Sequence, residues 1–259
     1  MTSIFLDAPF DALWKGKDPF CEVASLGGEE FRHVKSRRTF RVEIDGCGFF
    51  VKHHHGVGWK EIFKDLFQFK VPVTGADGEY KAIRHLEKLG VPTMSCAGFG
   101  QRFFNPAGRE SFIITRELAG MCSLEDFFAG NEVTPEMRRD IAVRLGRSVG
   151  KMHAGGLNHR DCYICHFLRS PESGELHVID LHRAQIRKKV PFRYAVKDVA
   201  GILFSSMHLG LTYRDILLFY REYKRAGNKD SRSFRDAVLR TARKLYAKEY
   251  AGEAPEIRK

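Results

Sequence analysis

Leu157-Asn158-His159-Arg160-Asp161-Cys162-Tyr163-Ile164-Cys165-His166-Phe167-Leu168, with Val178-Ile179-Asp180 after it, concentrates the chain's chemistry in one polar loop and one strand end. An imidazole, a guanidinium and a carboxylate are consecutive at 159–161. A second imidazole follows at His166, and a second carboxylate closes the short apolar run Leu176 to Ile179. Immediately upstream, Thr134-Pro135-Glu136 is a helix start, with Thr as N-cap and Pro at the first helical position. Met137, Ile141, Leu145, Val149 and Met152 then recur every three or four residues, which predicts a helix to about His153, stopped by Ala154-Gly155-Gly156. The reactive stretch is therefore a loop between a long helix and a short strand.

Toward the N-terminus the period falls to two. Phe31 to Ser36, a polar turn over Ser36–Thr39, the alternating Phe40-Arg41-Val42-Glu43-Ile44, the hairpin signal Asp45-Gly46 and the strand Gly48–His53 predict a three-stranded meander. Helical spacing returns with Trp59, Ile62, Phe63, Leu66 and Phe67, ended by Pro72 (a helix over Trp59–Phe69). It returns again with Tyr80, Ile83, Leu86 and Leu89, stopped by Gly90 (a helix over Ala76–Leu89). Val91–Phe99 and Glu110–Glu117 read as further strands. Ser123 caps a short helix, with Asp126 completing a capping-box-like pair. From Val196 onward the chain reads as mainly helix, with Ile202, Leu203, Ile216, Leu217 and Phe219 as buried candidates, and Gly252–Lys259 reads as frayed. Strands with long helices, then mainly helices, define an α+β chain of two lobes, residues 1–118 and 119–259.

With 259 residues, 43% of them apolar and 29% charged, the chain can build a sizeable core, and wholesale disorder is excluded. Lys plus Arg outnumber Asp plus Glu by 43 to 32, a net charge of +11, which favours an anionic partner: nucleic acid, a phosphorylated substrate or an acidic membrane face. No basic platform interleaved with aromatics supports nucleic acid. No stretch approaches the roughly 18 apolar residues of a membrane span. The opening MTSIFLDAPFDALW lacks the early positive charge of a secretory signal, and the six cysteines are scattered, which reads as reduced thiols in a cytosol.

Asp161 in a polar loop, a metal-ligand type at His166 and Asp180 at a strand end resemble the catalytic core of protein kinases. Phosphoryl transfer needs one carboxylate to accept the proton of the attacking hydroxyl and another to hold Mg²⁺ against the phosphates, both on the same rim of one lobe. The resemblance implies that Asp161 is the base, in a motif with His159 and Arg160, and that Asp180 holds Mg²⁺ with His166 as a second ligand. It places Lys52, on the third strand, against the α/β-phosphates of ATP, with Glu79 on the next helix paired to it. Arg37 and Arg38 would lie over the phosphates, and Thr115, Glu117 and Leu118 would form the hinge around adenine. Asp198 would anchor the catalytic loop.

More closely, Phe50-Val51-Lys52-His53-His54-His55-Gly56-Val57-Gly58-Trp59, His159–His166 and Ile179-Asp180-Leu181-His182-Arg183-Ala184 resemble the lipopolysaccharide kinase family of Gram-negative bacteria, over about residues 30–225. That resemblance implies a bilobal protein-kinase-like fold and ATP- and Mg²⁺-dependent phosphorylation of a heptose hydroxyl in the lipopolysaccharide inner core. It implies work at the cytoplasmic face of the inner membrane, as a peripheral protein. Arg183, Arg187, Lys188 and Lys189 would dock the phosphorylated acceptor, and an acidic acyl-carrier-type protein would suit the basic charge as a partner.

The chain departs from the protein-kinase pattern in specific places. Ser36-Arg37-Arg38-Thr39 replaces a Gly-rich loop, His166 stands where Asn is usual, and Asp180-Leu181-His182 replaces Asp-Phe-Gly. Asp198 follows Asp180 by only 18 positions, with no Ala-Pro-Glu, which leaves little room for a peptide-docking segment. Rival readings are another sugar or small-molecule kinase of this fold, such as a Kdo kinase or an antibiotic kinase, and a pseudokinase scaffold. Cys162-Tyr-Ile-Cys165-His166 matches a c-type haem attachment pattern, but inside a catalytic loop loop-packing thiols are expected. His53-His54-His55 alternates along a strand, so three successive rings do not converge easily on one ion, and a solvated loop or contact with an anionic ligand is expected.

Overall fold

The structure, a computed structural model, describes residues 2–34, 37–56, 58, 59, 63, 67, 75–103, 105 and 107–251. Apart from Trp59, Phe63 and Phe67, the helix expected over Trp59–Phe69 lies outside the described residues, as do Ser36, Val57, Pro72 and Gly252–Lys259. The chain forms two compact units, Met1–Arg84 with Met94–Ala119, and His85–Thr93 with Gly120–Lys259.

The first unit is built on a six-stranded antiparallel sheet of β1 (Ser3–Leu6), β2 (Glu29–Val34), β3 (Arg37–Ile44), β4 (Cys47–His54), β5 (Cys96–Arg102) and β6 (Glu110–Arg116), in the order β1-β5-β6-β4-β3-β2. The β3–β4 hairpin closes on Asp45-Gly46 with Ile44 opposite Cys47. Both turn residues have positive φ, 52° and 73°, the backbone a two-residue hairpin turn demands. Alternation then sorts the side chains. Phe40, Val42, Phe49, Val51, Ala97, Phe112 and Ile114 point to one face and are buried there with Phe10, Trp14, Phe20 and Val23. Those last four come from α1 (Phe10–Leu13) and the segment through α2 (Pro19–Ser25), which Asp18 caps by accepting from the Phe20 amide at 3.0 Å. A buried aromatic of this size contributes about 1.5–3 kcal/mol. The N-terminal segment thus forms a strand and a core-covering layer. On the sheet's opposite face, Tyr80 of α3 (Asp77–Lys88) stacks on Phe99 at 4.2 Å between centroids, beside buried Ile113.

The polar run 37–39 is strand rather than turn. Arg37, Arg38 and Thr39 pair with Val34, His33 and Arg32 across β2, so β3 begins three residues earlier than its apolar alternation indicates. Lys52 sits opposite Thr39 and Ile113, in mid-sheet.

In the second unit, β7 (Cys122–Ser123), β9 (Phe167–Arg169) and β10 (Leu176–Val178) form a small sheet, and β8 (Leu157–Asn158) pairs with β11 (Gln185–Ile186). Around them lie α4 (Leu124–Gly130), α5 (Pro135–Ala154), α6 (Phe192–Ser205), α7 (Tyr213–Arg225) and α8 (Arg232–Glu249). Thr134 caps α5 through the Met137 amide at 3.3 Å, with Pro135 at the first helical position as expected. Ser123 caps α4, but Asp126 turns its carboxylate to the Ser123 hydroxyl at 2.6 Å rather than to the backbone. Leu217 is 55% exposed, against the expectation of burial, while Ile202, Leu203 and Phe219 are buried. Among the described residues no helix is long and apolar enough to cross a membrane.

Candidate active site

Two ladders clamp the reactive stretch. β8 and β9 flank residues 159–166, while β10 and β11 flank residues 179–184. Because β8 pairs with β11 and β9 with β10, the two loops are held side by side at both ends. Gly156 makes the entry possible. Its φ of 83° suits glycine, and a Cβ there would stand 1.9 Å from the Arg187 carbonyl oxygen, which accepts no such intrusion.

Asp198, on α6, holds the first loop from beneath. Its buried carboxylate accepts from the amides of His159 at 2.7 Å and Arg160 at 2.9 Å, and from His153 Nε2 at 3.3 Å. His153 in turn accepts from the Tyr223 hydroxyl through Nδ1 at 2.9 Å. α6 comes this close because Gly201 faces the loop: a Cβ would lie 2.5 Å from the Cys162 carbonyl oxygen. Arg160 is thereby fixed at φ 77°, a strained backbone for a residue with a side chain. His159 is fully buried and donates Nε2–H to the Ile179 carbonyl at 2.9 Å. Burial pushes its pKa down, so it stays neutral. Its geometry makes it a brace for the strand end that carries Asp180.

Asp161 and Asp180 face outward from these braces. Both Asp161 oxygens accept from Arg183 Nη1, at 2.8 and 2.9 Å. Asp180 has left-handed φ and ψ of 57° and 54°. Its Oδ1 lies 2.7 Å from His182 Nδ1, and its Oδ2 lies 3.7 Å from His166 Nε2. His166 Nδ1 donates to the Asp161 carbonyl at 2.7 Å. In the neutral ring the Nε2 lone pair therefore points at a carboxylate oxygen, and two lone pairs so placed need a cation between them. A proton can serve: although burial disfavours the imidazolium, the Cys165 sulfur, the Asp161 carbonyl and Asp180 together raise the pKa of His166 to about 9. A divalent cation can serve equally, and the Asp180–His166 donor set fits one. Cys162 is buried and its thiol is pushed well up by burial, as expected of a packing thiol.

In the first unit, Lys52 Nζ donates to Glu79 Oε1 at 2.8 Å, with the Glu79 side chain only 2% exposed. Burying the carboxylate makes the pair interdependent. Lys52→Ala and Glu79→Ala are expected to be strongly non-additive, with a coupling of about 0.5–3 kcal/mol in a double-mutant cycle of kcat/KM. Additive losses would remove the pair from the site.

The remaining expected site residues are engaged in other ways. Arg38 donates to Glu30 at 2.6 Å and to the Leu26 carbonyl at 2.9 Å and lies over the Phe40 ring, while Arg37 continues the β3 ladder. Thr115 is buried in β6. The Glu117 amide donates to the Gly48 carbonyl at 2.9 Å and its carboxylate takes Arg41, while Leu118 is half-buried beyond the sheet. Arg187 is held by Asn158 and Gln185 and stacks over Tyr194, whereas Lys188 and Lys189 are exposed. Sequence reasoning did not single out His153 or Tyr223, because their roles depend on a helix 45 to 70 residues away.

These features, a β-sheet unit with an internal Lys–Glu pair and a mainly helical unit with a clamped His-Arg-Asp loop, define a protein-kinase-like α+β fold. The chain belongs to the lipopolysaccharide kinase (Kdo/WaaP) family, which matches residues 22–223. It is 49% identical to the lipopolysaccharide core heptose(I) kinase WaaP of Escherichia coli K12 (84% of this chain, 86% of the relative) and 46% identical to that of Pseudomonas aeruginosa (86% of each). A solved structure of WaaP in complex with acyl carrier protein matches with a TM-score of 0.80 and 40% identity, over 94% of this chain and 99% of that one.

Proposed function

We propose that this chain phosphorylates a heptose hydroxyl of the lipopolysaccharide inner core, using ATP. The observation that carries this reading is 46–49% identity to heptose(I) kinases over most of both lengths. The acid–base arrangement is consistent with it. Asp161 accepts the proton of the attacking hydroxyl as its oxygen bonds to the γ-phosphorus and ADP departs. Lys52, held by Glu79, steadies the α/β-phosphates. Asp180 would hold Mg²⁺ through its carboxylate, with His166 beside it, and the ion would supply charge neutralisation across the phosphates when bound. The transfer rests mainly on positioning.

Arg183 acts on this scheme through Asp161. Arg183 Nη1 bridges both oxygens of the carboxylate, which holds Asp161 in place and leaves Arg183 less available to an acceptor phosphate. Arg183→Ala is therefore expected to lower kcat by about 10–100-fold with little change in the KM for acceptor. A raised acceptor KM with unchanged kcat would return Arg183 to acceptor docking, leaving Asp161 to be positioned by its backbone.

The same reading includes an acidic acyl carrier protein as partner and work at a membrane surface. The solved relative with such a partner supports the first, as do the net charge of +11 and an apolar cavity in the second unit lined by Ile141, Leu145, Val199, Leu203, Ile216 and Phe219. Exposed Lys188 and Lys189 suit an anionic lipid surface, which attracts such residues by about 1 kcal/mol each. The deciding experiment incubates the chain with labelled ATP and dephosphorylated core lipopolysaccharide and maps the phosphate. Label on a heptose is expected. Label on Kdo, or none, would overturn the assignment.

A further inference from the structure

The sequence reading leaves His53-His54-His55 as a solvated loop or a contact for an anionic ligand, and the structure adds to that. His53 and His54 are 1% and 4% exposed, and only His55 is open to solvent. Alternation along β4 separates His54 from His53, and His55, the first residue past the strand, brings its ring beside that of His53, with centroids 4.2 Å apart. The neighbouring strand supplies a third group. Glu110, the first residue of β6, sets Oε1 3.0 Å from His53 Nε2. One donor atom from each of the three residues lies within 4.8 Å of the other two.

We propose that His53, His55 and Glu110 bind a divalent transition-metal cation of the Zn²⁺ class. Two imidazoles and a carboxylate are a donor set that Zn²⁺ and its neighbours favour, whereas Mg²⁺ prefers oxygen alone. With metal–ligand distances of about 2.0–2.2 Å, tetrahedral donors stand roughly 3.4 Å apart. The His53–Glu110 pair is already near that spacing, and rotation of the exposed His55 ring closes the rest. The carboxylate is aimed from behind. Arg102 Nε donates to Glu110 Oε2 at 2.6 Å, is itself tied to Asp18 at 3.0 Å and lies over the Phe20 ring at 4.4 Å, which turns Oε1 toward His53. Burial also holds the His53 pKa down, so the ring is offered as a neutral ligand. His55 leaves one side open, through which the ion enters and water completes the shell. Binding replaces the His53 Nε2–H···Oε1 Glu110 hydrogen bond, the ring proton moving to Nδ1 so that the ligand stays neutral, and it ties the end of β4, one residue beyond Lys52, to the start of β6. The site lies wholly in the first unit, whereas Asp180 and His166 belong to the second.

The test is a titration of the metal-stripped full-length chain with Zn²⁺ against a chromophoric chelator. Because thiols and Asp180 can also take Zn²⁺, the readout is a difference between proteins. Wild type is expected to hold one tight equivalent that His55→Ala and Glu110→Gln both bind at least about tenfold more weakly. His55 is exposed, so His55→Ala leaves the fold intact, and matching far-ultraviolet spectra check Glu110→Gln. Retention of that equivalent at wild-type affinity in either variant, or no tight equivalent in wild type, overturns the three-ligand site.

Discussion

Asp161→Ala is expected to lower kcat by about 10²–10⁴-fold while thermal stability and ATP affinity stay close to wild type. The expectation rests on how the residue is used. Its backbone carbonyl, not its carboxylate, takes the His166 ring, and Asp198 rather than Asp161 supports the neighbouring amides. Removing the carboxylate therefore deletes the proton acceptor and frees Arg183 without unpinning the loop. Asp161→Asn separates charge from shape. It can still accept from Arg183 but is a far weaker base, so it should be nearly as inactive as alanine. Single-turnover measurements with ATP and lipopolysaccharide acceptor make the comparison. Turnover within tenfold of wild type for Asp161→Ala would move the base elsewhere.

Legibility in the sequence follows the range of the interaction. Signals confined to a few residues read correctly: the Asp45-Gly46 hairpin, the Thr134-Pro135 helix start, and the short strand just before Asp180. Signals set by a neighbour distant in sequence did not. Arg37 and Arg38 look like turn residues because polar pairs favour turns, yet pairing across β2 makes them strand. The N-terminal apolar residues have too short a period to be classified alone, and they become a layer only against Phe49 and Phe112. His53 and His55 look unable to converge on an ion until β6 brings up Glu110. Arg183 reads as an acceptor-docking cation because nothing local indicates that the β8–β11 ladder delivers it to Asp161.

The same distinction separates two kinds of histidine in the reactive loop. His159 has its ring enclosed and its Nε2–H committed to a carbonyl, so it braces. His166 stacks parallel on it at 5.6 Å but keeps Nε2 toward Asp180, so it remains available to a cation. A motif match places the first in the catalytic set and the second on the metal. Burial and hydrogen bonding assign them different work.

Asp198→Ala should be the most damaging substitution for the fold around the site. Its carboxylate serves two buried amides and a buried imidazole, with Asp198 itself only 1% exposed. Alanine leaves those donors unmatched in a space too tight for water to be admitted freely, since Gly201 already brings α6 against the Cys162 carbonyl. Each unsatisfied buried donor costs about 1–3 kcal/mol, so a loss of about 3–5 kcal/mol follows, lowering Tm by roughly 10 °C or more. The functional loss comes by the same route. Without its amide bond, Arg160 has no reason to hold a φ of 77°, and relaxation there swings Asp161 away from Arg183. Asp198→Asn keeps one carbonyl acceptor and should fall between wild type and alanine in both Tm and kcat. Scanning calorimetry alongside the transfer assay tests the coupling: a Tm within about 1 °C of wild type for Asp198→Ala, or full stability loss with turnover intact, would separate the anchor from the catalytic loop.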